Sequence, residues 1–68
     1  MIVTVNGEPR DVPLAATVAS IIEQLGVAPG ARGVAVALDG EVVARGAWPE
    51  TELVEGARIE VVAAIQGG

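Results

Sequence analysis

The first residues alternate apolar and polar side chains and predict a β-hairpin. Residues 3–5 read Val-Thr-Val, and the Asn6-Gly7 pair that follows favours a tight turn, because both turn positions must tolerate a positive φ. The return strand, residues 8–12, contains Pro9, which has no N–H to donate to a neighbouring strand. We therefore predict that the second strand lies at the edge of the sheet.

Residues 17–30 contain apolar side chains at helical spacing and predict one short helix. The apolar stripe consists of Val18, Ile21, Ile22 and Leu25. Thr17 is a suitable N-cap, and Gly26 stands where a left-handed residue commonly ends a helix. With this cap, Val27 is expected to contact Ile22.

Residues 33–43 predict a second hairpin with Asp39-Gly40 at its turn. Its large apolar residues are expected to face the helix and its alanines the opposite side: Val34, Val36 and Leu38 on the first face, Ala35 and Ala37 on the second. Residues 44–57 are interpreted as irregular, and residues 58–64 as the last strand. In that strand Ile59 and Val61 are expected to point towards the core, and Arg58 and Glu60 away from it.

The predicted element order is β-β-α-β-β-β. A crossover through a helix joins parallel strands, so the apolar first and last strands are the natural central pair. This layout is an α+β β-grasp, in which a mixed sheet of four to five strands is covered on one face by one short helix. A length of 68 residues leaves room for one domain, which we assign to residues 1–68.

Composition and charge exclude several classes of function. The chain has no Cys and no His, which excludes disulfides and any metal site or nucleophile built on thiolate or imidazole. Nine acidic residues oppose four arginines for a net charge of −5, so nucleic-acid binding is disfavoured and a protein with a basic face is the expected partner. We find no charged leader and no apolar run of roughly 18 residues, and therefore expect a soluble, cytoplasmic protein that does not enter a membrane.

Two features outside the strands have ordinary structural interpretations. Trp48, the only aromatic residue, is interpreted as part of the core, with an exposed interface anchor as the alternative. Glu50, Glu52 and Glu55 form a loose acidic cluster, for which paired carboxylates in acid/base catalysis are the alternative. We interpret the cluster as solvated because no His, metal ligand or recognisable pocket accompanies it.

The last strand and the residues after it are the strongest candidates for function. Val62 and Ala64 are expected to share the outer face of the sheet with Glu60, where small apolar side chains are suited to receive a partner protein. The sequence then ends in a flexible tail, residues 66–68, whose two glycines would arise by chance in about one sequence in 200. Such a tail is thin enough for a narrow channel, and its carboxylate becomes an electrophile only after a partner has activated it.

Over essentially its whole length the sequence resembles the ThiS family of thiamine-biosynthesis sulfur carriers, which are ubiquitin-like β-grasp proteins. The resemblance rests on "MIVTVNGE", "TVASIIEQLG", the "AW" that precedes "LVEGARIEVVAAI", and the final "QGG". A Gly-Gly ending is shared by all ubiquitin-like carriers, whereas the short length, the segment around Trp48 and "AIQGG" narrow the resemblance to ThiS. Ala57 departs from the family, which commonly has Asp at this position.

The resemblance implies a carrier and co-substrate rather than an enzyme. A ThiF-like adenylating enzyme would activate the carboxylate of Gly68, the modification site, and would use the ATP, so no cofactor is expected on this chain. A sulfur donor derived from a cysteine desulfurase would then form a thiocarboxylate, whose sulfur a thiazole synthase takes for thiazole phosphate. Gly67 would keep the tail slim, and Ile65 and Gln66 would form the neck where it leaves the sheet.

Three alternatives stay open at this point. The small subunit of molybdopterin synthase has the same fold and ending, but it tends to be longer and has a proline pair before its tail that this chain lacks. A ubiquitin-like protein modifier would be adenylated in the same way and would then be attached to lysines of other proteins. A plain β-grasp interaction module would not be modified at Gly68.

Overall fold

The described residues, 1–28 and 31–63 of the chain, form five strands, one α-helix and one 3₁₀ helix in the computed structural model. In chain order these are β1 (Ile2–Val5), β2 (Glu8–Asp11), α1 (Val18–Gln24), β3 (Val34–Leu38), β4 (Glu41–Val43), the 3₁₀ helix (Arg45–Glu50) and β5 (Arg58–Ala63). The predicted order of strands and helix is confirmed.

The strands form a mixed sheet in the order β2-β1-β5-β3-β4, so the last strand occupies its centre. β5 runs parallel to β1, with Ile59 beside Val5, and antiparallel to β3, with Val61 opposite Val36. The predicted parallel pairing of the first and last strands is confirmed. β2, which contains Pro9, lies at the edge as predicted, because proline there leaves no ladder bond unmade.

Both hairpins have the turns that their sequences predict. Asn6 and Gly7 have φ values of 49° and 83°, and Asp39 and Gly40 have φ values of 49° and 86°. Two consecutive left-handed residues match the right-handed twist of the flanking strands. The Asx-Gly pairs therefore determine where each hairpin reverses.

The helix is closed at both ends by local hydrogen bonds. The Thr17 side chain accepts from the Ser20 N–H at 3.2 Å, and the Ser20 hydroxyl accepts from the Thr17 N–H at 3.0 Å, which is a reciprocal capping box. At the other end the Gly26 N–H donates to the Glu23 carbonyl, and the Val27 N–H donates to the Ile22 carbonyl at 3.2 Å. This pair of bonds is a Schellman motif, which confirms the prediction that Gly26 ends the helix.

The core lies between the inner face of the sheet and the apolar stripe of α1. Its fully buried members from the sheet are Val3, Val36 and Ile59, and those from the helix are Val18 and Ile21. Trp48 is also buried, and its indole N–H donates to the Val43 carbonyl at 2.9 Å. The core interpretation of Trp48 is therefore confirmed.

The interpretation of residues 44–57 as irregular is wrong for their first half. Residues Arg45–Glu50 form a 3₁₀ helix with Pro49 inside it. Proline is tolerated there because the segment is barely two turns long, and the burial of Trp48 holds it against the core. Tertiary packing thus gave structure to a stretch whose sequence pattern was uninformative.

Candidate functional site

The candidate site can be followed along β5 as far as Ala63. The predicted modification site and its neighbours, Ala64, Ile65, Gln66, Gly67 and Gly68, lie outside the described residues. The geometry that bears on function is therefore that of β5, of the strands beside it, and of the sheet face that the helix does not cover.

The outer face of the sheet is built by residues that stand opposite each other on β5, β3 and β4. Val62 is opposite Ala35, Glu60 is opposite Ala37, and Ala37 is in turn opposite Val42. Residues directly opposite in an antiparallel pair point to the same side of the sheet. We use the name outer-face patch for the four apolar residues of this set: Ala35, Ala37, Val42 and Val62.

The outer-face patch leaves two branched apolar side chains in solvent. Val62 is 64% exposed and Val42 is 81% exposed, while the next residues inward, Val61 and Val43, pack against the core. Arg58 and Glu60 are exposed and Ile59 is buried, so the predicted alternation along β5 is confirmed. Sequence reasoning did not single out Val42, although strand pairing across the two-residue Asp39-Gly40 turn would have placed it opposite Ala37 and therefore on this face.

Two turn residues bond to the backbone of β5 from opposite sides. The Asn6 side chain accepts from the Val61 N–H at 2.8 Å and donates to the Val61 carbonyl at 3.3 Å. The Asp39 carboxylate accepts from the Arg58 N–H at 3.0 Å at the other end of the strand. The sequence predicted both residues as turn formers only, and these side-chain bonds to a distant strand had no local signal.

A shallow cavity of about 240 Å³ lies on the helix side of the molecule. Its lining includes Ile22 and Val27, which are joined by the backbone hydrogen bond of the C-cap, together with Trp48 and Arg45. The Arg45 guanidinium lies 4.7 Å from the centre of the Trp48 ring, and it also donates to the Ala31 carbonyl. These contacts are those of a packed surface, in which the arginine covers one face of the indole.

The acidic residues do not converge on a site within the part of the chain that the structure describes. No group of three or more Asp or Glu side chains there is arranged to hold a metal ion. Glu50, Glu52 and Glu55 are exposed, and the Glu55 carboxylate accepts from the Ile2 N–H at 3.0 Å. Across residues 1–28 and 31–63, no helix is both long and apolar enough to span a bilayer.

Comparison with known protein families identifies the family of this chain. The model of the ThiS family matches residues 3–68. The chain belongs to the ThiS family. The matched range includes all of β5 and continues through Gly67 and Gly68, the predicted carrier end.

Two solved structures are similar to this ThiS-family chain over its full length. The crystal structure of the thiamine biosynthesis protein ThiS from Geobacter metallireducens is 36% identical, covers 100% of both chains and superimposes with a TM-score of 0.80. The solution structure of a thiamine biosynthesis protein from the same organism is 37% identical, covers 100% of this chain and 88% of its own, and has a TM-score of 0.78. No curated protein matches the chain. Both the family and the β-grasp fold predicted from the sequence are confirmed.

Proposed function

We propose that this protein carries sulfur for thiamine biosynthesis on the carboxylate of Gly68. Membership of the ThiS family and similarity to two thiamine biosynthesis proteins support a sulfur carrier of this pathway. The observation that carries the finer proposal is that the family match runs through the Gly67-Gly68 end. The chain contains no cysteine, so a thiol of its own cannot hold the sulfur.

The proposed chemistry takes place in three steps on the carboxyl group of Gly68. First, a carboxylate oxygen attacks the α-phosphorus of ATP on a ThiF-like adenylating enzyme, pyrophosphate leaves, and an acyl-adenylate forms. Second, a persulfide sulfur from a donor charged by a cysteine desulfurase attacks the carbonyl carbon and displaces AMP. A thiol then cleaves the resulting acyl disulfide, forms a new disulfide with the donor, and leaves the thiocarboxylate on Gly68.

The thiocarboxylate is the form that delivers sulfur to a thiazole synthase for thiazole phosphate. In this scheme the chain binds no cofactor and catalyses nothing itself, since ATP is consumed by the adenylating partner. Gly67 keeps the tail free of a Cβ where it enters the partner, and Ile65 with Gln66 forms the neck before it. The cytoplasm, where thiol chemistry of this kind runs, stays our prediction for its location.

The outer-face patch is the proposed docking surface for these partners, together with Glu60 and the predicted neighbour Ala64. Val62 offers an exposed apolar side chain on the strand that leads to the tail. A partner that covers Val62 therefore contacts the strand from which the chain continues to Gly68. The negative charge of the chain favours a partner with a basic rim around this contact.

The proposed modification is tested by changing the C-terminus alone. Adding one residue after Gly68, or deleting Gly68, is expected to abolish ATP–pyrophosphate exchange with the adenylating enzyme, because the attacking carboxylate is displaced. Circular dichroism should show an unchanged fold in both variants. Undiminished exchange by the extended protein would overturn the proposal.

The enzyme that accepts the sulfur distinguishes a role in the thiamine pathway from a role in the molybdopterin pathway. Both present a thiocarboxylate, so its detection by intact mass does not decide between them. We expect the thiocarboxylate form to support thiazole phosphate formation by a thiazole synthase, as the family and both similar structures favour. Sulfur transfer to a molybdopterin precursor, with none into thiazole, would mean that the molybdopterin alternative is correct. Attachment of this chain to lysines of other proteins would instead favour a ubiquitin-like protein modifier.

A further inference from the structure

The side chain of Asn6 extends the β1–β5 ladder by one position. β1 ends at Val5, and the Asn6 N–H donates to the Ile59 carbonyl at 2.9 Å as the last backbone bond of this ladder. The next residue of β5 whose backbone N–H and carbonyl face β1 is Val61. The Asn6 amide side chain accepts from its N–H at 2.8 Å and donates to its carbonyl at 3.3 Å, as a strand residue would.

The two bonds act at the end of β5 from which the chain continues towards Gly68. Val61 is followed in the described part of β5 by Val62 and Ala63. Without Asn6, a turn side chain would no longer occupy the β1 side of Val61, and this half of β5 would be paired through β3 alone. A strand end that pairs on one side frays more readily than one that pairs on both.

We propose that Asn6 is a positioning residue: it holds the backbone of β5 at Val61, in the part of the strand that leads to Gly68, for binding by the adenylating enzyme. The inference rests on the proposed function, since it concerns how Gly68 is presented to the adenylating enzyme. Ordering one backbone residue on binding lowers the binding constant by roughly 5- to 30-fold. Because Asn6 holds the end of β5 in the free protein, binding does not have to order this residue, and the loss of affinity is avoided.

Asp39 provides a matched control within the same molecule. It is also the first residue of an Asx-Gly turn, has the same φ of 49°, and bonds through its side chain to the β5 backbone. Its contact is at Arg58, the end of β5 remote from the tail. Asn6→Gly and Asp39→Gly therefore both keep a turn that tolerates positive φ, and both remove side-chain bonds to β5, but at opposite ends.

The test measures amide hydrogen exchange and the kinetics of ATP–pyrophosphate exchange with the adenylating enzyme. For Asn6→Gly we expect the Val61 amide to exchange about tenfold faster, as the loss of one or two modest hydrogen bonds implies. The KM for the carrier should rise about five- to tenfold while kcat stays within about twofold, because the carboxylate chemistry belongs to the partner. Asp39→Gly should accelerate exchange at Arg58 and leave both kinetic constants unchanged.

A third variant separates the two bonds. Asn6→Asp keeps an oxygen to accept from the Val61 N–H but loses the donor to the Val61 carbonyl, so its KM should lie between those of the wild type and Asn6→Gly.

Each adverse outcome has a distinct meaning. An unchanged KM in Asn6→Gly, or an equal rise of KM in Asp39→Gly, would overturn the positioning role. Absence of pyrophosphate exchange by the wild-type protein would instead overturn the proposed function and, with it, this inference. An unchanged rate of Val61 exchange in Asn6→Gly would show that the side-chain bonds do not hold β5.

Discussion

Replacing Val62 by arginine tests whether the outer-face patch receives a partner. Val62 lies on β5 opposite Ala35 and has 64% of its surface exposed. The substitution therefore changes the surface and leaves the buried side of the strand intact. We expect it to weaken binding to the adenylating enzyme more than it weakens folding.

The magnitude follows from the exposed fraction. Full burial of a valine side chain stabilises by about 1.5–3 kcal/mol, so covering the exposed 64% of Val62 contributes about 1–2 kcal/mol to binding. Loss of that contribution raises Kd roughly 5- to 30-fold, and an arginine charge buried without a partner raises it further. The cost to folding should stay within about 0.5 kcal/mol, which is about 2–4 °C in Tm for a domain of this size.

Val54→Arg is the matched control. Val54 is 65% exposed, and it lies in the loop between the 3₁₀ helix and β5 rather than on the outer face. The two variants add the same charge to the same residue type at nearly equal exposure, so they differ in location alone. Isothermal titration with the adenylating enzyme should show at least about a fivefold larger Kd for Val62→Arg than for Val54→Arg.

Equal Kd values in two folded variants would refute docking through the outer-face patch. Unfolding of Val62→Arg, with Val54→Arg still folded, would contradict the exposed position of Val62 and would mean that this side chain belongs to the core.

Two further predictions concern the tail and the core. Gly67→Ala is expected to lower thiazole phosphate formation about tenfold or more, because a Cβ displaces the tail in the acceptor site, and an unchanged yield would contradict this. Trp48→Phe removes the hydrogen bond to the Val43 carbonyl and part of the core volume, so we expect a loss of about 1–3 kcal/mol in urea unfolding followed by circular dichroism. Leu14→Ala, at a residue that is 80% exposed, is its control and should change stability by less than about 0.5 kcal/mol.

Most of the fold could be predicted from local patterns in the sequence. Asn6-Gly7 and Asp39-Gly40 placed the hairpin turns, because few residues tolerate two successive positive φ values. Thr17 and Gly26 marked the ends of the helix, because their preferences act within a single turn of chain. The parallel pairing of β1 with β5 followed from handedness and burial rules that hold for most sheets.

The candidate site was predictable in part. The alternation along β5 placed Val62 and Glu60 on the outer face, and their exposure in the structure agrees. Their role in docking stays a prediction, as do the roles of Ile65, Gln66, Gly67, Gly68 and the neighbouring Ala64, which lie outside the described residues.

Contacts between groups that are distant in sequence depend on the complete fold and had no local signal. The 3₁₀ helix at Arg45–Glu50 depends on Trp48 packing into the core, and no periodicity marks so short a segment. Asn6 bonds to Val61 across 55 positions of sequence, although its own neighbourhood predicts nothing beyond a turn. Turns and caps are set by forces within a few residues, whereas contacts between strands depend on the register of the whole sheet, which no local pattern contains.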